Sequence, residues 1–150
     1  MTFGVNSLSA DKTILFMGDS LTAGYGVGND RAFPALIQEK LDEEGYAYRS
    51  MNAGVSGETS AGGLSRINWL LKRPVDIFVL ELGANDGLRG QSVKATKANL
   101  KSILARVKDK YPEAQMILAG MQVPPNLGSD YLDTQINHRA ACVLNTIITI

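Results

Sequence analysis

Two stretches of this chain, Ile14-Leu15-Phe16-Met17 and Ile77-Phe78-Val79-Leu80, are apolar at every position rather than at every second one. A strand with one face in water alternates; a strand that is apolar throughout needs both faces covered, which is the condition of a parallel sheet between two helical layers. The rest of the chain supplies those layers. Strands are expected at Lys12–Met17, more weakly at Tyr46–Asn52, strongly at Asp76–Leu82, and at Gln115–Gly120. Between them, Ala32–Glu44 carries Phe33, Leu36, Ile37 and Leu41 at helical spacing and stops at Gly45, as helices often do. Ser60–Lys72 carries Leu64, Ile67 and Leu71 ahead of Pro74, and Ser92–Lys110 is a long amphipathic helix. The order βαβαβαβ predicts an α/β fold, a flavodoxin-like doubly wound parallel sheet in three layers (α/β/α). Ligands of such sheets sit beyond the carboxyl ends of the strands.

At 150 residues the chain makes one domain, with residues 1–11 expected as an N-terminal extension and 132–150 as an atypical tail. Within that tail, residues 132–141 have the pattern of a short helix, and the β-branched end reads as a fifth strand or an unrelated tail. Lys+Arg and Asp+Glu number 15 each, so no net field draws the chain to nucleic acid or to an anionic membrane. The single cysteine, Cys142, excludes an internal disulfide and reads as a small buried side chain. One histidine, one cysteine and scattered carboxylates make no metal set, and no glycine cluster has the spacing of a phosphate-cradling loop; no cofactor is expected. Neither a leader nor a run long enough to span a membrane is visible, so stable membrane insertion is not expected. Cytoplasmic residence is the expectation for the chain as given, and periplasmic or secreted residence if a leader has been trimmed.

The chemistry-bearing residues fall just after the strands. Gly18-Asp19-Ser20-Leu21 breaks the first apolar run into a strand-to-helix turn, which can present the Ser20 hydroxyl beside backbone N–H groups, as an acyl-transfer nucleophile requires. The same serine could simply cap the following helix. Asp19 suits the fixing of that turn by accepting backbone N–H bonds. Gly57, in Ser56-Gly57-Glu58-Thr59, can turn its N–H toward empty space, or be an ordinary loop glycine. Asn85, in Gly83-Ala84-Asn85-Asp86, offers an amide donor to a developing oxyanion, or is a turn residue with Asp86 tying the loop.

Taken in order, these three blocks resemble those of the SGNH (GDSL) hydrolases, in particular the acyl-thioesterase/arylesterase/lysophospholipase branch. The match runs from about Thr13 to Tyr131, and Glu81-Leu82-Gly83-Ala84-Asn85-Asp86-Gly87-Leu88-Arg89-Gly90 is its longest piece. The resemblance implies a cofactor-free serine hydrolase of small or medium acyl esters or thioesters. Ser20 would be the nucleophile, and the Ser20 N–H, Gly57 N–H and Asn85 amide the oxyanion hole. It places Asp19 at the substrate site. It also likens Met121–Gly128, with Gln122, Pro124 and Asn126, to an acyl-binding loop, although a proline-stiffened connection is an equal reading. The family's closing Asp-x-x-His does not occur in this sequence, so the fold is expected with its C-terminal part shortened and the activity impaired. His138, the only histidine, follows Asp133 by five residues rather than three and reads as a solvated helix-face side chain. The alternative reading is a non-catalytic acyl- or glycan-binding module of the same fold.

Overall fold

The computed structural model describes residues 12–120. The expectations for residues 1–11, the Met121–Gly128 loop, His138, Cys142 and the tail lie outside the described residues. Strands β1 (Lys12–Gly18), β2 (Tyr48–Gly54), β3 (Ile77–Glu81) and β4 (Gln115–Leu118) form one sheet. Every pairing is parallel and the order is β2-β1-β3-β4, the doubly wound arrangement anticipated from the apolar runs. Helices α1 (Ser20–Ala23), α2 (Phe33–Glu43), α3 (Ser60–Leu70), α4 (Ala84–Leu88) and α5 (Val93–Lys110) complete the described residues. No described helix is long and apolar enough to cross a membrane.

The pleat of β1 sorts its apolar run between two cores. Leu15 and Met17 join Phe78 and Leu80 on the face covered by α3 and α5, through Ile67, Leu70, Leu100, Ile103 and Val107. Ile14 and Phe16 join Val79 on the opposite face, against Phe33 and Leu41 of α2. There the Phe16 and Phe33 rings meet edge to face at 5.5 Å, a favoured aromatic geometry. Leu36 and Ile37, grouped with Phe33 and Leu41 by spacing, remain exposed at 50% and 36%. Among the described residues, α2 lies over the β1–β2 side, so only part of its apolar stripe is covered.

Element ends follow local chemistry. Thr59 caps α3 by accepting from Gly62 N at 3.3 Å, and Gly45, with φ +74°, follows the end of α2. Strand β2 starts and finishes two residues later than its sequence pattern suggested, because its alignment with β1 pairs Lys12 with Tyr48 and Gly18 with Gly54. Gly18 also pairs with Glu81, which brings the carboxyl ends of β1, β2 and β3 level at one rim.

Candidate active site

The serine turn is fixed from beneath. Asp19 caps α1, with Oδ1 accepting from Leu21 N at 3.1 Å, while Ser20 opens the helix and is half-buried. Its helix makes no demand on the Ser20 N–H, because the first amides of a helix have no intrahelical acceptor. Among the described residues, neither the Ser20 N–H nor the Gly57 N–H donates to a protein acceptor. Gly57 has φ +79°, a conformation that side-chain-bearing residues rarely adopt, and its carbonyl accepts from Arg89 Nη2 at 2.8 Å.

One amide joins all three blocks. Asn85 Nδ2 donates to Asp19 Oδ2 at 3.2 Å and to the Glu58 carbonyl at 3.1 Å. It therefore spans the residue preceding Ser20 and the residue following Gly57. Asp19 is only 1% exposed, and both its oxygens are used within the protein. As placed it positions the turn and the Asn85 amide and offers almost no surface to a substrate. Gln122, Pro124 and Asn126 lie outside the described residues.

Asn85 is held in turn by its neighbour. Asp86, 2% exposed, accepts from Ser60 N at 2.7 Å, Ser60 Oγ at 2.5 Å and Thr96 Oγ1 at 3.1 Å. Asn99 Nδ2 donates to the same Ser60 hydroxyl at 2.9 Å. A buried carboxylate needs several donors, and these come from α3 and α5, so α4 is pinned between them. Behind Gly57, the Arg66 guanidinium binds the buried Glu58 carboxylate through Nε at 2.5 Å and through Nη2. The same Nη2 also donates to the Ala53 carbonyl at 2.6 Å.

A further buried carboxyl, that of Glu81, bonds to the serine helix. Glu81 Oε2 accepts from Thr22 Oγ1 at 2.7 Å, whereas Oε1 is buried with no hydrogen-bond partner among the described residues. Burial, opposed by the Thr22 bond and reinforced by the nearby Asp19 charge, pushes the Glu81 carboxyl up from 4.5 to about 7. The pair fits only because residue 18 is glycine. A Cβ there would lie 1.9 Å from Thr22 Oγ1 and 2.7 Å from Glu81 Oε2. Glu81 also borders a cleft of about 470 Å³ lined by Leu21, Val27, Arg31 and Phe33.

Sequence reasoning missed the Thr22–Glu81 pair, the Ser60–Asp86–Thr96 cluster and the Glu58–Arg66 pair. The one available signal was Glu81 itself, a carboxylate ending a strand that is otherwise apolar. No group of three or more His, Cys, Asp or Glu among the described residues could hold a metal ion.

A parallel α/β sheet whose rim gathers the serine turn, the Gly57 loop and the Asn85 amide has the architecture of the SGNH hydrolases. The chain belongs to the GDSL-like Lipase/Acylhydrolase family, whose model matches residues 16–149. It is 42% identical over 127 residues to Esterase TesA of Pseudomonas aeruginosa, covering 83% of this chain and 62% of that protein. It is 40% identical over 124 residues to Thioesterase 1/protease 1/lysophospholipase L1 of Escherichia coli K12, covering 82% of this chain and 57% of that one. The chain thus spans less than two thirds of the length of these curated relatives. Its fold matches the crystal structure of AlinE4, an SGNH-hydrolase family esterase, with TM-score 0.77 and 39% identity over 86% of this chain and 69% of that one.

Proposed function

We propose that this protein hydrolyses small or medium acyl esters and thioesters through an acyl intermediate on Ser20. The observation that supports the reading is the Asn85 amide, bonded at once to Asp19 and Glu58, which ties the segment carrying Gly57 to the residue preceding Ser20. Ser20 Oγ attacks the acyl carbon and gives up its proton to a base as the carbonyl oxygen becomes negative. That oxygen takes the Ser20 and Gly57 N–H groups. It also takes the Asn85 hydrogen held at 3.2 Å by Asp19, the longer of the two Asn85 bonds. Such donors act mainly in the transition state, and losing one costs ~10²–10³-fold in rate. The alcohol or thiol departs with a proton, and water then releases the acid from Ser20. The cleft beside Leu21 and Phe33 suits the acyl chain, with Gln122, Pro124 and Asn126 as further substrate contacts.

The general base is the open position. Residues 1–150 contain no Asp-x-x-His, and we assign His138 no part in the reaction. On this reading acylation of Ser20 in the 150-residue polypeptide is slow, because the hydroxyl proton has no assigned acceptor. The test is hydrolysis of p-nitrophenyl butyrate above the buffer rate, compared with Ser20→Ala of unchanged circular dichroism. The excess rate is expected to vanish in the variant. The same rate in both proteins would remove Ser20 from the chemistry, and ester binding without turnover would favour the acyl-binding module.

A further inference from the structure

Strand β2 is the edge of the described sheet, and between it and α3 runs a groove of about 400 Å³. The volume falls within the ~300–1,000 Å³ usual for small-molecule sites. Neither Ser20, Gly57 nor Asn85 lines it. Its apolar part is built from Met51 and Ala53 of β2 and Leu70 of α3, and Trp69, 68% exposed, stands at its side.

The charge of this groove has one sign. Arg66, Lys72 and Arg73 line it, and among the described residues no carboxylate does. Glu58 neutralises Arg66 from behind, whereas neither Lys72 nor Arg73 has a carboxylate partner among the described residues. The C-terminal end of α3 opposes them with about half a unit of negative charge. The Tyr111 hydroxyl lies 2.8 Å from the carbonyls of both Leu71 and Arg73 and shares its one proton between them. Two unpaired cations therefore outweigh the helix end.

We propose that this groove binds a monomeric medium-chain fatty carboxylate, its alkyl chain along Met51, Ala53 and Leu70 beside Trp69 and its carboxylate at Lys72 and Arg73. The groove lies between a strand and a helix, a concave shape that takes a single chain. Two cations are also fewer than the four to eight that mark a lipid-surface patch, and the whole chain has net charge +0. The inference is independent of turnover at Ser20. If both readings hold, this is a site at which the acid released by hydrolysis is retained.

Trp69 is the only tryptophan in the chain, so its fluorescence reports on this groove directly. The full chain is titrated with decanoate below its aggregation concentration, with decyltrimethylammonium, and with phosphatidylglycerol vesicles. A saturable blue shift with decanoate and none with the cationic amphiphile is expected. The exposed double variant K72E/R73E, checked by circular dichroism, is expected to weaken decanoate binding by about tenfold or more. Four results overturn the proposal: no saturable change, an equal response to the cationic amphiphile, a response to vesicles alone, or unchanged affinity in K72E/R73E. Failure of Ser20 chemistry leaves this titration unaffected, so the two readings fail separately.

Discussion

Replacing Glu81 by Gln removes one ionisation at the serine helix while keeping the side chain's size. In the folded protein the Glu81 carboxyl holds its proton until about pH 7, against 4.5 when unfolded. Between those values the folded state binds more protons, so the contribution of Glu81 to stability is fully present below pH 4.5 and is lost as pH rises through about 7. At 1.36 kcal/mol per pH unit the ceiling is about 3 kcal/mol. The cleft that Glu81 borders admits solvent, and the screening reduces this to about 1–2 kcal/mol. Glu81→Gln lacks this term, so its stability relative to the parent should rise by about that amount between pH 4.5 and 8. At about 2–4 °C per kcal/mol for a domain of this size, the gap in melting temperature should widen by about 2–8 °C. Melts followed by circular dichroism at four pH values measure it, and titrating groups distant from Glu81 cancel in the comparison. Parallel curves for the two proteins would refute the reasoning, because the carboxyl would then titrate normally.

Asn85→Ala should lower kcat for any ester the protein turns over by about 10²-fold or more with little change in KM; an unchanged kcat removes the amide from the oxyanion hole. Asp86→Ala strands Ser60 N and Ser60 Oγ, while Thr96 Oγ1 keeps the Ser92 carbonyl at 3.2 Å as an acceptor; at about 1–3 kcal/mol per stranded donor it should cost about 2–6 kcal/mol in urea unfolding. A loss below about 1 kcal/mol would show that α4 is held by something else. His138→Ala should leave the esterase rate of the 150-residue polypeptide within about twofold, because a residue outside the triad contributes little to it. A collapse of robust activity in that variant would identify His138 as the base.

The parallel sheet was legible because Ile14–Met17 of β1 and Ile77–Leu80 of β3 are apolar at every position, a pattern with one economical structural solution. Helix α4 was not. Ala84-Asn85-Asp86-Gly87-Leu88 contains Asn, Asp and Gly, all poor helix formers whose side chains or flexibility favour turns. Contacts from α3 and α5 to Asp86 impose the helix from outside. The weak pattern at Tyr46–Asn52 located β2 but not its ends, since Arg49, Ser50 and Asn52 give an edge strand little periodicity. The candidate site divides in the same way. Ser20, Gly57 and Asn85 stood out as small or polar residues following strands. The groups that steady them are separated by 59 residues for Thr22 and Glu81 and by 26 for Ser60 and Asp86. No local periodicity encodes such pairs.

The central claim is that Ser20 is the activated hydroxyl of an acyl-transfer site. Treating the protein with a fluorophosphonate and mapping the modified peptide by mass spectrometry tests it most directly. The label reads the nucleophile and its oxyanion donors and does not depend on complete turnover. Modification should concentrate on Ser20, however slowly without a base, and should fall in Asn85→Ala. Label spread over Ser7, Ser65 and Ser102, with Ser20 no more reactive than they are, would contradict the account.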